Sequence, residues 1–154
     1  MTKIKLYILI SLVAVSMTMV SCDKNDVPSE KAQVQLEVNA NNISGQWQLV
    51  SWNGEELIEG TYMYMDIVRN GKTYTIYQNM DSFADIPHVV TGVYAIYEDV
   101  RYGSVIRGNY DHDAGDWAHR YVITSLTEDE MLWVAKDDSS FTQLFVRVED
   151  IPVD

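Results

Sequence analysis

The feature that most constrains the fold is a series of short runs in which apolar and polar residues alternate, separated by segments rich in Gly, Asp, Asn and Ser. Alternation with a period of two is typical of strands that bury one face, and the separating residues favour turns. The runs predict eight strands, at residues 43–52, 62–69, 72–80, 88–98, 102–110, 117–126, 131–136 and 141–149. An all-β fold follows, and eight antiparallel strands can close into an up-and-down barrel that is filled by side chains or holds one small ligand.

The second and third predicted strands are joined by Asn70-Gly71, a strong hairpin signal because both residue types tolerate positive φ. Alternation away from this turn defines one face as the interior of the barrel. The residues predicted to line a ligand cavity are Met63, Met65, Tyr74, Met80, Tyr94, His119 and Tyr121. Methionine adapts to irregular ligands, and tyrosine adds a polar group to an apolar surface. The same side chains could also fill the barrel completely, so the pattern leaves both outcomes open.

The N-terminal segment has the pattern of a secretory signal. Lys3 and Lys5 precede a mainly apolar run over 6–20 that is too short to cross a bilayer as a helix. The run ends at Ser21-Cys22, which resembles the lipobox of bacterial lipoproteins, and the resemblance implies cleavage before Cys22 and lipidation of that residue. We therefore predict a signal peptide at 1–21, a lipidated cysteine and flexible tether at 22–42, and a barrel at 43–154. Within the tether, the alternation over 34–38 could add an edge strand or a short helix.

Lipidation predicts a protein held in the cell envelope through its lipid anchor alone, with the outer membrane favoured, on its periplasmic face or at the cell surface. The residues after Cys22 fit surface export in some lineages and inner-membrane retention in others. A net charge of −12 and a pI near 4.4 would keep the body off anionic head groups and make nucleic acid a poor partner. The single cysteine rules out an intramolecular disulfide and a thiolate metal cage.

Gly45-Gln46-Trp47 opens the first predicted strand and resembles the G-x-W signature of lipocalins and related calycin barrels. In those families the tryptophan closes the barrel floor and an arginine from the last strand lies over it. Arg147 stands at the matching position, so the resemblance implies a floor made by Gly45, Trp47 and Arg147. The order of the later segments is similar to the lipocalin-like domains of secreted bacterial lipoproteins, and the resemblance covers residues 43–154.

The residues that could carry other chemistry do not form a recognisable site. Three carboxylates and an imidazole lie within Asp111–Asp116, but their spacing departs from a calcium loop and is typical of a solvated turn. His88, His112 and His119 lack the spacing of zinc ligands, and no nucleophile motif is present. We therefore predict no metal, no cofactor and no enzymatic activity.

The function that these observations favour is a lipid-anchored envelope protein that binds a small, largely apolar or aromatic molecule in its barrel. The alternative is a structural or interaction module with a filled barrel, whose partner is another envelope protein. A mouth is expected at the end opposite Trp47, rimmed by residues 55–61 and 82–89. Acidic residues in those loops favour a neutral ligand, either sterol-like or aromatic.

Overall fold

The computed structural model describes residues 33–152, and their main element is a closed antiparallel barrel. Each strand pairs with the next along the chain, and the last strand pairs with the first. The predicted all-β, eight-stranded up-and-down barrel is therefore confirmed. A ninth, two-residue strand extends only the end of β1. The elements are α1 (Ala40–Ile43), β1 (Gly45–Trp52), β2 (Glu55–Glu56), β3 (Met63–Val68), a 3-10 turn (Asn70–Lys72), β4 (Thr73–Gln78), β5 (His88–Asp99), β6 (Gly103–Tyr110), β7 (Tyr121–Leu126), β8 (Glu130–Ala135) and β9 (Thr142–Val148).

The β3–β4 hairpin has the register that alternation predicted, with Met65 opposite Ile76. Its turn differs from the expected Asn-Gly geometry. Val68 pairs with Thr73, which leaves a four-residue connection, and positive φ falls on Gly71 and Lys72 instead of on Asn70. The glycine is still required, but the longer connection moves the left-handed backbone one residue along the chain.

The strand predicted over 117–126 begins only at Tyr121. A single bridge joins Asp116 to Asn109, and β6 then pairs with β7 at only two positions. The Trp117 N–H still donates to the Gly108 carbonyl at 2.9 Å, and its indole covers Gly108 so closely that a Cβ on that glycine would overlap it. Regular pairing with β6 is therefore interrupted only between Trp117 and Tyr121.

Residues 33–42, predicted to end the flexible tether, lie against the barrel. The Leu36 N–H donates to the Leu126 carbonyl at 2.8 Å, and Leu36 and Val38 are half-buried against the core. The backbone over 34–38 forms neither of the two elements considered there, an edge strand or a short helix, and the helix α1 begins only at Ala40. The Asn39 side chain caps α1, which buries Ile43 completely. The signal peptide, Cys22 and the rest of the tether lie outside the described residues.

The largest fully buried side chains form a core that runs through the barrel from the Trp47 end. They are Trp47, Trp133, Tyr74, Phe145, Ile43, Leu49, Ile67, Ile106, Leu126, Met131 and Val105. No helix in the described part of the chain is both long and apolar enough to cross a bilayer. Side chains therefore fill the barrel densely near Trp47, and the space for a ligand lies toward the opposite end.

Candidate functional site

The closed end is built on Trp47, which is fully buried at the start of β1. Its Nε1–H donates to the Ile43 carbonyl at 2.8 Å, and the Arg147 guanidinium lies 4.0 Å from the centre of its ring. Gly45 has a φ of 126°, and any side chain there would overlap the guanidinium. Trp47, Arg147 and Gly45, the three residues predicted to form the floor, are therefore in direct contact.

Arg147 also closes this end by hydrogen bonding to the backbone. It donates to the carbonyls of Asn42, Ser44 and Glu128 at distances of 2.6–3.0 Å. The planar, rigid guanidinium of Arg147 thus ties β9 both to the segment that holds Asn42 and Ser44 and to the turn that holds Glu128. Every polar atom named here has a partner, so this end has the character of a structural cap.

A cavity of about 220 Å³ lies at the other end of the barrel. Its walls are mostly aromatic, with two methionines and a buried glutamine. The lining residues are Trp52, Met63, Met65, Ile76, Tyr110, Trp117, Ala118, His119, Tyr121, Trp133, Phe141 and Gln143. The rings contact one another, since Trp133 has its centre 5.7 Å from that of Trp117 and 5.4 Å from that of Tyr121. These spacings are within the range of favourable aromatic pairs.

Four of the seven residues predicted to line a cavity do line this one, namely Met63, Met65, His119 and Tyr121. The other three lie elsewhere. Tyr74 is behind Trp117, because its hydroxyl accepts the indole N–H at 2.8 Å and donates to the Asn109 carbonyl.

Tyr94 lies at the closed end, with its hydroxyl 3.4 Å from the Val68 carbonyl, and it borders a separate depression beside α1. Met80 follows the end of β4 in a loop, where its N–H donates to the Gln78 side chain. Strand alternation assigned both residues to the interior, but it does not say at which height along the barrel a side chain lies or where a strand stops.

The predicted rim is also different. No residue from 55–61 or 82–89 lines the cavity, and its edge is formed instead by Trp117, exposed Ala118 and half-buried His119. This segment borders the cavity because it leaves the ladder between β6 and β7. The sequence reasoning missed Trp52, Tyr110, Trp117, Trp133, Phe141 and Gln143 as lining residues. One signal was present in the sequence: Trp117 shares a strand face with His119 and Tyr121, and that pattern could have predicted its place in the cavity wall.

Two polar features distinguish this lining from a simple apolar one. Trp133 is 1% exposed, and its buried Nε1–H has no hydrogen-bond partner among the described residues. Gln143, also buried, carries an amide on the same wall. A buried donor without a partner costs about 1–3 kcal/mol. The nitrogen itself is closed to solvent, so an acceptor in the cavity would reach this N–H only if the Trp133 ring turned toward it.

Two of the titratable groups that line the cavity are Tyr121 and His119. Burial raises the pKa of Tyr121 to about 12, which keeps its phenol neutral. His119 stacks on Phe141 at 4.7 Å between ring centres, and its Nδ1 lies 3.0 Å from an Asp137 carboxylate oxygen. The hydrogen bond to His119 lowers the pKa of Asp137. The Tyr121 phenol is therefore a neutral group in the cavity wall, and the Asp137 carboxylate contacts the His119 ring beside it.

The Asp111–Asp116 cluster forms a turn. Asp111 accepts from Thr91 Oγ1 at 2.6 Å, Asp116 accepts from Asn109, and His112 and Asp113 have positive φ. Within residues 33–152 no three His, Cys, Asp or Glu side chains are grouped as metal ligands. The carboxylates at either end of this turn are occupied by local hydrogen bonds.

Comparison with known proteins identifies the family. The model of the lipocalin-like domain matches residues 43–133. No curated protein sequence matches the chain. Among solved structures, an NMR structure of a protein from Bacteroides uniformis ATCC 8492 is 22% identical, with a TM-score of 0.49 over 73% of this chain and 94% of that one. On the family match, the resemblance seen in the sequence is confirmed, and this chain belongs to the lipocalin-like domain family.

Proposed function

We propose that this protein is a lipid-anchored, non-enzymatic binding protein of the cell envelope that holds a small neutral aromatic molecule in the open end of its barrel. The observation that carries the proposal is a ring-lined cavity with an unpartnered indole N–H in its wall. Lipocalin-like barrels commonly take small apolar ligands, and the lining residues narrow that class.

The size of the cavity limits the ligand. An apolar cavity of about 150 Å³ accepts benzene, and typical small-molecule pockets span about 300–1,000 Å³. A volume of about 220 Å³ lies between these limits. One or two fused rings fit it, and the sterol-like ligand considered from the sequence is too large.

The charge of the lining supports a neutral ligand. None of the described residues that line the cavity carries a carboxylate, an ammonium or a guanidinium group. An ionised ligand would lose its hydration without gaining a counter-charge, which is costly. Aromatic walls and two methionines instead favour a flat, polarisable ring.

The unpartnered Trp133 N–H supports one further feature of the ligand, a hydrogen-bond acceptor on its ring toward which the indole turns on binding. Quinoline and naphthalene form a matched pair, because they share size and shape and only quinoline has an acceptor nitrogen. A neutral hydrogen bond contributes about 0.5–1.5 kcal/mol, so quinoline should bind about 2–10-fold more tightly than naphthalene. Trp133→Phe removes the donor and should abolish the difference.

Titration of the protein with quinoline and with naphthalene, followed by tryptophan fluorescence, tests whether the cavity binds a ring and whether it prefers a ring with an acceptor. Met65→Trp should fill the cavity and remove binding of both compounds, whereas Met80→Trp, which alters a half-buried methionine outside the cavity, should leave both unchanged. Circular dichroism establishes that each variant is folded. If wild type and Met65→Trp bind equally, the site is not the cavity, and the alternative of an interaction module becomes the better account.

That alternative has one observation in its favour. Large apolar side chains are exposed in the connecting loops, with Ile58, Phe83 and Ile86 at 69%, 59% and 79% exposure. Such residues could contact another envelope protein. They do not lie in the cavity, so loop substitutions and cavity substitutions separate the two functions.

The lipid anchor is tested independently. The lone cysteine at the end of the signal-like segment supports lipidation at Cys22. Metabolic labelling with an acyl probe should mark the wild-type protein and leave Cys22→Ser unlabelled and released from the membrane fraction. A labelled Cys22→Ser protein would contradict the anchor without affecting the cavity.

A further inference from the structure

A groove on the outer wall of the barrel collects positive charge in a chain whose net charge is −12. It has a volume of about 450 Å³ and is lined by Ala95, Tyr97, Asp99, Arg107, Arg120 and Lys136. Three cations and one carboxylate leave it with two positive charges. The described part of the chain has only seven Lys and Arg residues, so this is an unusual concentration.

The groove is held by paired strands. Ala95 on β5 is opposite Arg107 on β6, and Tyr97 is the next outward residue on β5. Lys136 follows β8, and its N–H donates to the Arg120 carbonyl at 2.8 Å. This bond ties the segment before β7 to the end of β8, so Arg107 lies on β6 while Arg120 and Lys136 lie directly beside the ends of β7 and β8.

Only one of the three cations has a partner. Lys136 Nζ lies 2.5 Å from an Asp99 carboxylate oxygen, and this contact raises the pKa of the lysine and lowers that of the aspartate. Asp99 also accepts from the backbone N–H groups of Arg101 and Tyr102. Its oxygens are therefore occupied. Neither Arg107 nor Arg120 forms an ion pair within residues 33–152.

A second, independent feature is the Tyr97 hydroxyl. Its oxygen is buried without a hydrogen-bond partner among the described residues, although the ring lines the groove. Buried hydroxyls normally find a partner. The groove thus combines two guanidinium groups without counter-ions and a phenol whose hydrogen bond is unmade.

We infer that the outer groove binds the oxyanion of a small ligand, a carboxylate or a phosphate group, through Arg107 and Arg120. The guanidinium fork matches both groups by paired N–H donors. The Tyr97 hydroxyl is closed to solvent, so it becomes an additional donor only when its ring turns toward the bound oxyanion. None of these residues lines the cavity, so binding of an oxyanion in the groove and binding of a ligand in the cavity can be tested independently.

The test is calorimetric titration of the purified full-length protein with inorganic phosphate and, separately, with succinate, at constant ionic strength. Saturable binding of either probe supports the site, and the stronger probe identifies the group. Arg107→Gln and Arg120→Gln should each weaken binding about 10-fold or more, as expected for a charged hydrogen bond. Tyr97→Phe should have a smaller effect in the same direction.

Arg69→Gln is the matched control, because it removes the same charge from an exposed position outside the groove. It should leave both affinities unchanged. Absence of saturable binding by both probes would overturn the inference, and so would an equal loss in Arg69→Gln, since that would indicate attraction to overall charge alone.

Discussion

The two ends of the barrel are each built around a buried tryptophan, and the two tryptophans differ in how their polar atoms are used. At the closed end Trp47 donates to Ile43 and is covered by Arg147. At the open end Trp133 has an indole N–H without a partner and borders an empty space. The contrast is therefore between a tryptophan whose N–H is bonded within the fold and one whose N–H has no partner among the described residues.

The backbone shows the same contrast. Three carbonyls converge on Arg147 at the closed end and seal it. Near the open end the ladder between β6 and β7 has only two pairs, and the segment that leaves it forms one edge of the cavity.

The largest expected effect is a difference in the free energy of unfolding between truncations at the closed end and at the open end. Trp47→Ala should lower the free energy of unfolding by about 3–5 kcal/mol, as deletion of a fully buried aromatic does. Trp52→Ala, a matched truncation of a half-buried residue at the cavity, should cost clearly less, because part of its ring already faces the solvent or the empty space. Urea denaturation measures both. Equal costs would remove the distinction between the ends.

The next effect tests whether Trp47 and Arg147 act as a unit. Arg147→Ala should cost about 1–3 kcal/mol because it removes the donors of two partly buried carbonyls and the cover over Trp47. The double variant should be less damaging than the sum of the single ones, by about 0.5–2 kcal/mol, since each single change already breaks the stack. Strictly additive values from the same denaturation experiment would contradict the pairing.

Replacing either of two glycines by alanine should lower the free energy of unfolding by about 1–3 kcal/mol, the usual cost of forcing extra atoms into a packed site. Gly45→Ala displaces Arg147 at the closed end, and Gly108→Ala displaces Trp117 at the cavity. Thermal melts should show both losses. Only Gly108→Ala should also change the affinity for quinoline, and a change in Gly45→Ala of the same size would show that the ends are not independent.

The smallest effect appears only in alkaline solution. Burial raises the pKa of Tyr74 and of Tyr121 to about 12. The unfolded chain ionises these phenols near pH 10 and the folded chain does not, so stability should be constant below pH 10 and fall between pH 10 and about 12. Tyr121→Phe should flatten this decline in pH-dependent denaturation. An unchanged slope would mean that the phenol is not buried against the cavity.

Much of the barrel could be predicted because strand alternation is local. The Met65–Ile76 register follows from alternation on either side of one turn, whereas the Gly45–Trp47–Arg147 contact was implied by the resemblance to lipocalins. The cavity was only half predictable, because its edge depends on the interruption of strand pairing after Trp117 and on the packing of that indole against Tyr74. Such packing is set by residues far apart in the chain, since Tyr74 is 43 positions from Trp117. The docking of Leu36 on the barrel was missed for the same reason.

The most direct test of the central claim uses the four tryptophans as reporters, since each gives one indole N–H signal in a nitrogen-15 correlation spectrum. Quinoline should shift the signals of Trp133, Trp117 and Trp52, with Trp133 moving furthest as its proton gains an acceptor. Trp47, already bonded to Ile43 beneath Arg147, should not move. Saturable shifts confined to the open-end signals are the predicted result. A spectrum in which Trp133 stays fixed, or in which Trp47 moves with it, would contradict the account.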